Sequence, residues 1–199
     1  MFRKRGTGMS INNAVSARPS TWGMGGKILV KVLLADFCCL VLVVSTIFFF
    51  TYQWLLWVME LICVSILIAF IASPVNNRGH KDRGYYERNN LKPDKLYGLK
   101  AGLIAAFPFY IMTILAIFMT LGILPDYFFF YRVLNSFFWP FISIVVSTAG
   151  VYDFTWYFYV IFFLMISIIP ATCHIAYTLG LKDIVISDRI IYKKNKKEK

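Results

Sequence analysis

Long apolar runs alternate with shorter polar segments along the whole chain. An apolar helix needs about 20 residues to cross a hydrocarbon core of about 30 Å. Four stretches meet that requirement: residues 28–50, 55–73, 101–124 and 155–179. The pattern therefore predicts an all-α fold, a polytopic membrane helical bundle with four transmembrane helices.

A further apolar block, residues 128–149, is long enough to suggest a fifth transmembrane helix. Its first half, however, is interrupted by Arg132, Asn135, Ser136 and Pro140. Backbone that turns at membrane depth must be buried against protein or face water. The alternatives for this block are thus a full span or a segment that packs on the other helices.

The positions of the basic residues favour four spans over five. All but two of the 21 lysines and arginines, Lys31 and Arg132, lie before the first span, between the second and third, or after the last. Short segments rich in these residues stay on the cytoplasmic side, so all three should share that side. The number of crossings is then even, and residues 125–154 form an outer-face interfacial or re-entrant segment. Five helices would instead place residues 193–199 outside.

This topology divides the chain into three parts. Residues 1–27 form a basic N-terminal segment that we expect to be disordered, residues 28–182 the membrane domain, and residues 183–199 a basic cytoplasmic tail. Within the range of the membrane domain, residues 74–100 form a cytoplasmic loop that connects the second and third spans. We expect a multi-pass protein of the cell membrane with both termini in the cytoplasm.

Composition agrees with a membrane protein and bears on its partners. The 199 residues are 59% hydrophobic and only 16% charged, whereas a soluble domain has about a quarter charged residues. The net charge of +11 lies beside the apolar runs, where it would attract anionic lipid headgroups. No aromatic stacking platform accompanies it, so nucleic acid is not an expected partner.

Three ionisable side chains fall within the predicted spans: Asp36, Glu60 and His174. An unpaired charge in hydrocarbon costs about 2.5–3.5 kcal/mol on insertion scales, so each should be paired, neutralised or hydrated. Asp36 and His174 are at similar predicted depths, which makes them a candidate pair. The residues could form a proton or cation relay, or they could be hydrogen-bonded helix contacts.

Small residues and prolines mark candidate packing and bending positions. Gly98, Gly102 and Ala106 recur every four residues, a spacing that lets another helix approach closely within the chain or in a homodimer. Pro108 and Pro170 lie inside the third and last spans, where each should kink its helix.

Signatures of catalysis and of cofactors are missing from the sequence. It contains no H-E-x-x-H, G-x-S-x-G or P-loop motif, and the two histidines have no ligand at metal-binding spacing. The four cysteines lie in apolar stretches and are expected to pack as small hydrophobic residues. We therefore expect no catalytic residue, cofactor or metal.

Two stretches carry a resemblance to other proteins. They are SPVNNRGHKDRGYYERNNLKPDKLYGLKAGLIAAFP, residues 73–108, and HIAYTLGLKDIVISDRIIYKK, residues 174–194. Together they resemble small uncharacterised multi-pass membrane proteins of Gram-positive bacteria. The resemblance implies a bacterial plasma membrane and the same topology, and it brings no known activity.

Three classes of function remain open from the sequence. The leading hypothesis is a non-enzymatic accessory, assembly or interaction subunit, with a second copy or another membrane protein as partner. The alternative is a small oligomeric transporter or channel subunit that uses Asp36, Glu60 and His174. An intramembrane enzyme is third. A hydrated cavity lined by these three residues would favour transport, and a dry, packed bundle would favour association.

Overall fold

The computed structural model describes residues 20–49, 52–145 and 156–182. The helices in this part of the chain are α1 (Thr21–Thr46), α2 (Gln53–Asn89), α3 (Tyr97–Thr120), α4 (Phe128–Leu134), α5 (Trp139–Val145), α6 (Trp156–Ile166) and α7 (Ile168–Leu181), with 3-10 turns at Ile47–Phe49 and Ser136–Phe138. The predicted N-terminal segment up to residue 19 and the tail 183–199 lie outside the described residues.

Four helical segments are long and apolar enough to cross a membrane: α1, α2, α3, and α6 with α7. In the most apolar stretch of each segment, about a third of the residues are buried inside the bundle. The exposed faces of these segments carry large apolar side chains, such as Phe37, Leu61 and Phe107, and such side chains suit contact with lipid. The predicted all-α bundle with four membrane-length helices is confirmed.

The four long segments form a four-sided bundle. α1 packs against α2 and α3, and α7 packs against the same two helices, so α1 and α7 lie on a diagonal. We call the end where α1 passes to α2 the hairpin end, and the end where α2 passes to α3, at residues 90–96, the linker end. α1 and α3 run toward the hairpin end, whereas α2 and α7 run toward the linker end.

Two boundaries differ from the predicted ones. α1 begins at Thr21, where Ser20 accepts a hydrogen bond from the Gly23 amide, so residues 21–27 are helical rather than disordered. α2 continues through Pro74 to Asn89 and ends there with Asn90 in the left-handed conformation. The segment predicted as loop 74–100 therefore begins as helix, because residues beyond Pro74 still pack against α7.

The block at residues 128–149 is divided in its described part. α4 and α5 have seven residues each, and the turn Ser136–Phe138 separates them. This turn packs against α1 and α2, and the Phe137 ring lies 5.5 Å from that of Phe109 on α3. The segment enters the bundle from the hairpin end and turns back inside it, which agrees with the predicted re-entrant segment.

The polar side chains Tyr131 and Arg132 of α4 have partners inside the bundle. The Tyr131 hydroxyl lies 3.3 Å from the Thr113 hydroxyl on α3. The Arg132 guanidinium lies 5.0 Å from the centre of the Phe128 ring, a cation–π contact within α4.

Candidate functional site

Asp36 binds the turn of the re-entrant segment. Its carboxylate accepts hydrogen bonds from the Ser136 amide at 2.8 Å and from the Ser136 hydroxyl at 2.8 Å. The same hydroxyl lies 2.6 Å from the Asp36 carbonyl oxygen. Asp36 lies ten residues before the end of α1, about 15 Å along the helix from the hairpin end. The turn is therefore held deep inside the bundle.

Glu60 makes the equivalent contact to the start of α5. Its Oε2 atom accepts a hydrogen bond from the Phe141 amide at 3.1 Å, and the Phe141 ring meets Trp57 edge to face at 6.2 Å. Pro140 before it has no N–H group, so Phe141 supplies the donor. The other carboxyl oxygen, Oε1, is buried without a hydrogen-bond partner among the described residues. Glu60 is only 5% exposed.

The two carboxyl groups thus have one structural task in common. The first N–H groups of a helix have no partner within it, and in a membrane interior no water replaces that partner. Asp36 satisfies such a group at the 3-10 turn, and Glu60 satisfies one at α5. Both side chains dock the re-entrant segment on α1 and α2. The sequence placed the two acids in the membrane but did not indicate Ser136 and Phe141 as their partners.

The predicted pair between Asp36 and His174 is wrong. Asp36 is bonded to Ser136, and His174 Nδ1 is buried with no hydrogen-bond partner in the described part of the chain. The two residues belong to α1 and α7, which lie on the diagonal of the bundle. Similar depth was estimated from the number of residues along each helix, and that number does not determine the direction in which a side chain points.

The small-residue stripe on α3 lies against α7 of the same chain. A Cβ atom on Gly98 would lie 2.6 Å from the Cys173 carbonyl oxygen, and one on Gly102 would lie 2.7 Å from the Pro170 Cα atom. Ala106, the third member, is fully buried. Close packing along this stripe is confirmed, and it occurs within one chain. Because α7 of the same chain covers Gly98 and Gly102, these positions are not available to a second copy as the homodimer alternative requires.

A second close crossing, between α2 and α7, was not predicted. Gly79 and Gly180 face each other, and a Cβ atom on Gly180 would lie 3.0 Å from the Gly79 Cα atom. The side-chain amide of Asn76 donates a hydrogen bond to the Ala176 carbonyl oxygen at 3.2 Å beside this contact. The predicted second span ended at residue 73, so Gly79 was not expected to lie on a helix that packs against α7. Gly79 and Gly180 within helical stretches were the available signal.

A buried polar cluster joins α2 to α7 near the linker end. The Tyr177 hydroxyl donates to Asp82 Oδ2 at 2.9 Å, and Arg78 Nη2 lies 2.7 Å from Asp82 Oδ1. Tyr177 is fully buried and Asp82 is 3% exposed. Asp82 lies in the segment predicted as a cytoplasmic loop, residues 74–100, and this cluster was not predicted. The spacing of Arg78 and Asp82, four residues apart, was the signal for an ion pair on one helix face.

The two prolines have different surroundings. α3 continues as helix through Pro108. The last membrane-length segment is broken at Ser167, three residues before Pro170, and α6 and α7 meet there. The Ser167 hydroxyl lies 2.8 Å from the Tyr110 hydroxyl on α3. The break agrees with the predicted kink, since a proline ring prevents the helical bond to the residue four positions earlier.

Four cavities among the described residues lie away from the intramembrane ionisable groups. They are on the α1–α2 face, on the α2 surface and near the linker, and their linings do not include Asp36, Glu60 or His174. No group of three potential metal ligands occurs in residues 20–49, 52–145 and 156–182. The Cys39 thiol lies 3.7 Å from the Cys63 carbonyl oxygen, as expected of a buried thiol that packs between helices.

These features define the class as a multi-pass helical membrane protein with a re-entrant segment docked on two buried carboxyl groups. Comparison with known proteins adds no narrower family. No protein-family model, curated protein or solved structure matches the chain.

Proposed function

We propose that this protein is a non-catalytic integral membrane protein that acts by association, as an accessory or assembly subunit for another membrane protein. The proposal rests on the way in which the intramembrane acids are used. Asp36 and Glu60 accept backbone hydrogen bonds from the re-entrant segment, and neither lines one of the four cavities described above. Their role in holding the fold leaves the outer surfaces of the bundle for interaction with partners.

The proposed association surface is the exposed face of α2 toward the hairpin end. A shallow apolar groove runs along it, lined by Val58, Leu61, Ile62, Ser65, Ile66 and Ala69. Ser65 and Ala69 are small, exposed and four residues apart, which permits close approach of a partner helix. The Ser65 hydroxyl bonds to the Leu61 carbonyl oxygen, so a partner helix would not bury an unpaired hydroxyl there.

The proposal includes an orientation and a location. The linker end and both termini lie in the cytoplasm of a bacterial cell, and the hairpin end lies outside. The support is the clustering of basic residues before α1, around the linker and after α7. The lipid headgroups on the linker side would be anionic.

Photocrosslinking in native membranes tests the association. A photoreactive residue at position 62 should give one discrete adduct of higher mass, and the additional change Ser65→Trp should abolish it by blocking close approach. The matched control carries the photoreactive residue at position 41, an exposed position on α1. Equal, diffuse labelling at both positions would contradict the association surface.

A transporter or channel subunit is the second candidate, and the unpartnered Glu60 Oε1 is the observation that favours it. Liposomes that contain the purified protein distinguish the two functions. The association proposal predicts proton and potassium fluxes equal to those of protein-free liposomes. A flux in the wild type that Glu60→Gln removes would replace association by transport.

A further inference from the structure

A groove lined by basic side chains lies between α1 and α2 near the linker end. It has a volume of about 460 Å³, and its lining includes Lys27, Lys31, Arg78 and Lys81 together with apolar residues. No acidic side chain is among the described residues that line it. Asp82 compensates the charge of Arg78 from behind the groove, whereas Lys27, Lys31 and Lys81 have no ion-pair partner among the described residues. These three positive charges repel one another unless an anion lies between them.

Helix geometry explains why these four charges converge. Lys27 and Lys31 are four residues apart on α1, and Arg78 and Lys81 are three residues apart on α2, so each pair lies on one helix face. α1 and α2 are antiparallel neighbours, and both pairs line the cavity between them. The groove is therefore formed by the fold and is not a run of charge along the sequence.

Arg78 is held in place by residues behind it. Its Nη2 atom pairs with Asp82, which also accepts the hydroxyl hydrogen bond of the buried Tyr177. The Nε atom of Arg78 is buried and has no hydrogen-bond partner among the described residues. One donor of an anchored guanidinium is thus left for an acceptor that the described residues do not provide.

The basic groove continues into an apolar one. An adjoining cavity of about 460 Å³ shares Lys31, Pro74 and Asn77 with the first, and it extends along Ala69, Phe70 and Ser73. These residues lie closer to the middle of α2, so the combined groove is cationic toward the linker end and largely apolar toward the membrane interior. A ligand that fits both parts has a negative head and an apolar chain.

We propose that this groove binds one anionic phospholipid, with its phosphate among the four basic side chains and an acyl chain beside Ala69 and Phe70. Inorganic phosphate could bind the basic side chains in the same way as a phospholipid headgroup. Only a phospholipid also has an acyl chain that can occupy the apolar part of the groove. Lys27 and Lys31 are exposed and can extend along the apolar surface to reach the headgroup.

The test measures lipid binding to the purified full-length protein in neutral detergent by native mass spectrometry. Phosphatidylglycerol should bind as one molecule per chain, in preference to phosphatidylcholine. Lys27→Gln with Lys31→Gln should weaken phosphatidylglycerol binding about 25-fold, since each lysine near an anionic headgroup contributes about fivefold. Lys92→Gln with Lys95→Gln, two exposed lysines outside the groove, removes the same charge and should leave binding unchanged.

A second pair of variants tests the apolar part without changing charge. Ser73→Trp would fill the groove beside Phe70, whereas Val58→Trp places the same side chain about four helical turns away on the exposed surface of α2. Ser73→Trp should weaken phosphatidylglycerol binding at least fivefold, and Val58→Trp should not. Because Val58→Trp affects only the association surface and Ser73→Trp affects the lipid groove, failure of one proposal is distinguishable from failure of the other.

Three results would overturn the lipid assignment. The first is equal binding of the two phospholipids, and the second is equal loss of binding in the groove and control lysine variants. The third is competition by millimolar inorganic phosphate together with an unaffected Ser73→Trp variant, which would indicate a site for free phosphate. Melting curves of each variant exclude loss of binding through unfolding.

Discussion

Gly98→Ala tests whether α3 and α7 are held together by direct backbone contact. The new Cβ atom would lie 2.6 Å from the Cys173 carbonyl oxygen and 2.6 Å from the Tyr177 Cβ atom. Non-bonded carbon atoms are most stable at about 3.5–4.0 Å, so α7 would have to move away by about 1 Å. Such a gap removes about a quarter to a half of the attraction at each neighbouring contact.

The size of the effect follows from a comparison with Gly26→Ala. Gly26 also lies within a helix, but a Cβ atom there would meet nothing within 4 Å. Gly26→Ala gains about 0.5–1 kcal/mol in helix stability from the loss of glycine, and Gly98→Ala gains no more than that because Gly98 is the second residue of α3. Only Gly98→Ala introduces overpacking, which costs about 1–3 kcal/mol. The free energy of unfolding of Gly98→Ala should therefore be lower than that of Gly26→Ala by about that amount.

Tryptophan fluorescence during thermal unfolding in detergent measures this difference. For a chain of this length, about 1–3 kcal/mol corresponds to a melting temperature roughly 2–12 °C lower. The difference should not depend on protein concentration, because both helices belong to one chain. Gly98→Ala melting at or above the temperature of Gly26→Ala, or a difference that grows on dilution, would refute packing within one chain.

Three further predictions concern polar contacts and topology. Glu60→Leu should lower the free energy of unfolding by about 1–3 kcal/mol because the Phe141 N–H group loses its acceptor, whereas Glu60→Gln keeps an acceptor oxygen and should cost less; equal losses in chemical unfolding would contradict the capping role. Tyr177→Phe should cost about 1–3 kcal/mol by removing the donor to buried Asp82, and an unchanged melting temperature would show that the bond contributes nothing. A cysteine introduced at Lys199 should resist impermeant maleimide in intact cells and react after lysis; labelling in intact cells would reverse the proposed orientation.

The sequence was sufficient to predict the all-α bundle and the interruption of the apolar block at residues 128–145. Helix length and the placement of lysine and arginine are one-dimensional properties, and both can be counted along the chain. Arg132, Asn135, Ser136 and Pro140 interrupt the apolar block, and the structure divides it into two short helices around that point. The fold class therefore follows from quantities that need no knowledge of which helices are neighbours.

The polar partners required three-dimensional information that periodicity does not contain. Asp36 and Ser136 are 100 residues apart, and their contact depends on where the re-entrant segment turns. Depth alone favoured His174 as a partner, but α7 lies diagonally across from α1. Likewise, the contact of Gly79 with Gly180 became visible only when α2 was seen to continue beyond Pro74. Two intramembrane side chains can be paired only if they lie at the same depth, point toward each other and belong to helices that are neighbours.

The intramembrane acids are explained by the backbone they serve. A re-entrant segment that begins two short helical elements inside the bundle exposes N–H groups that a continuous span would bond internally. Ser136 supplies one such group and Phe141 another, and each is met by one carboxyl group from a neighbouring long helix. An acid within an apolar span is often taken to mark a proton or ion path. Where a non-spanning segment lies beside it, the backbone donors of that segment must be assigned first. A relay can then be built only on groups that remain, and here these include Glu60 Oε1 and His174 Nδ1.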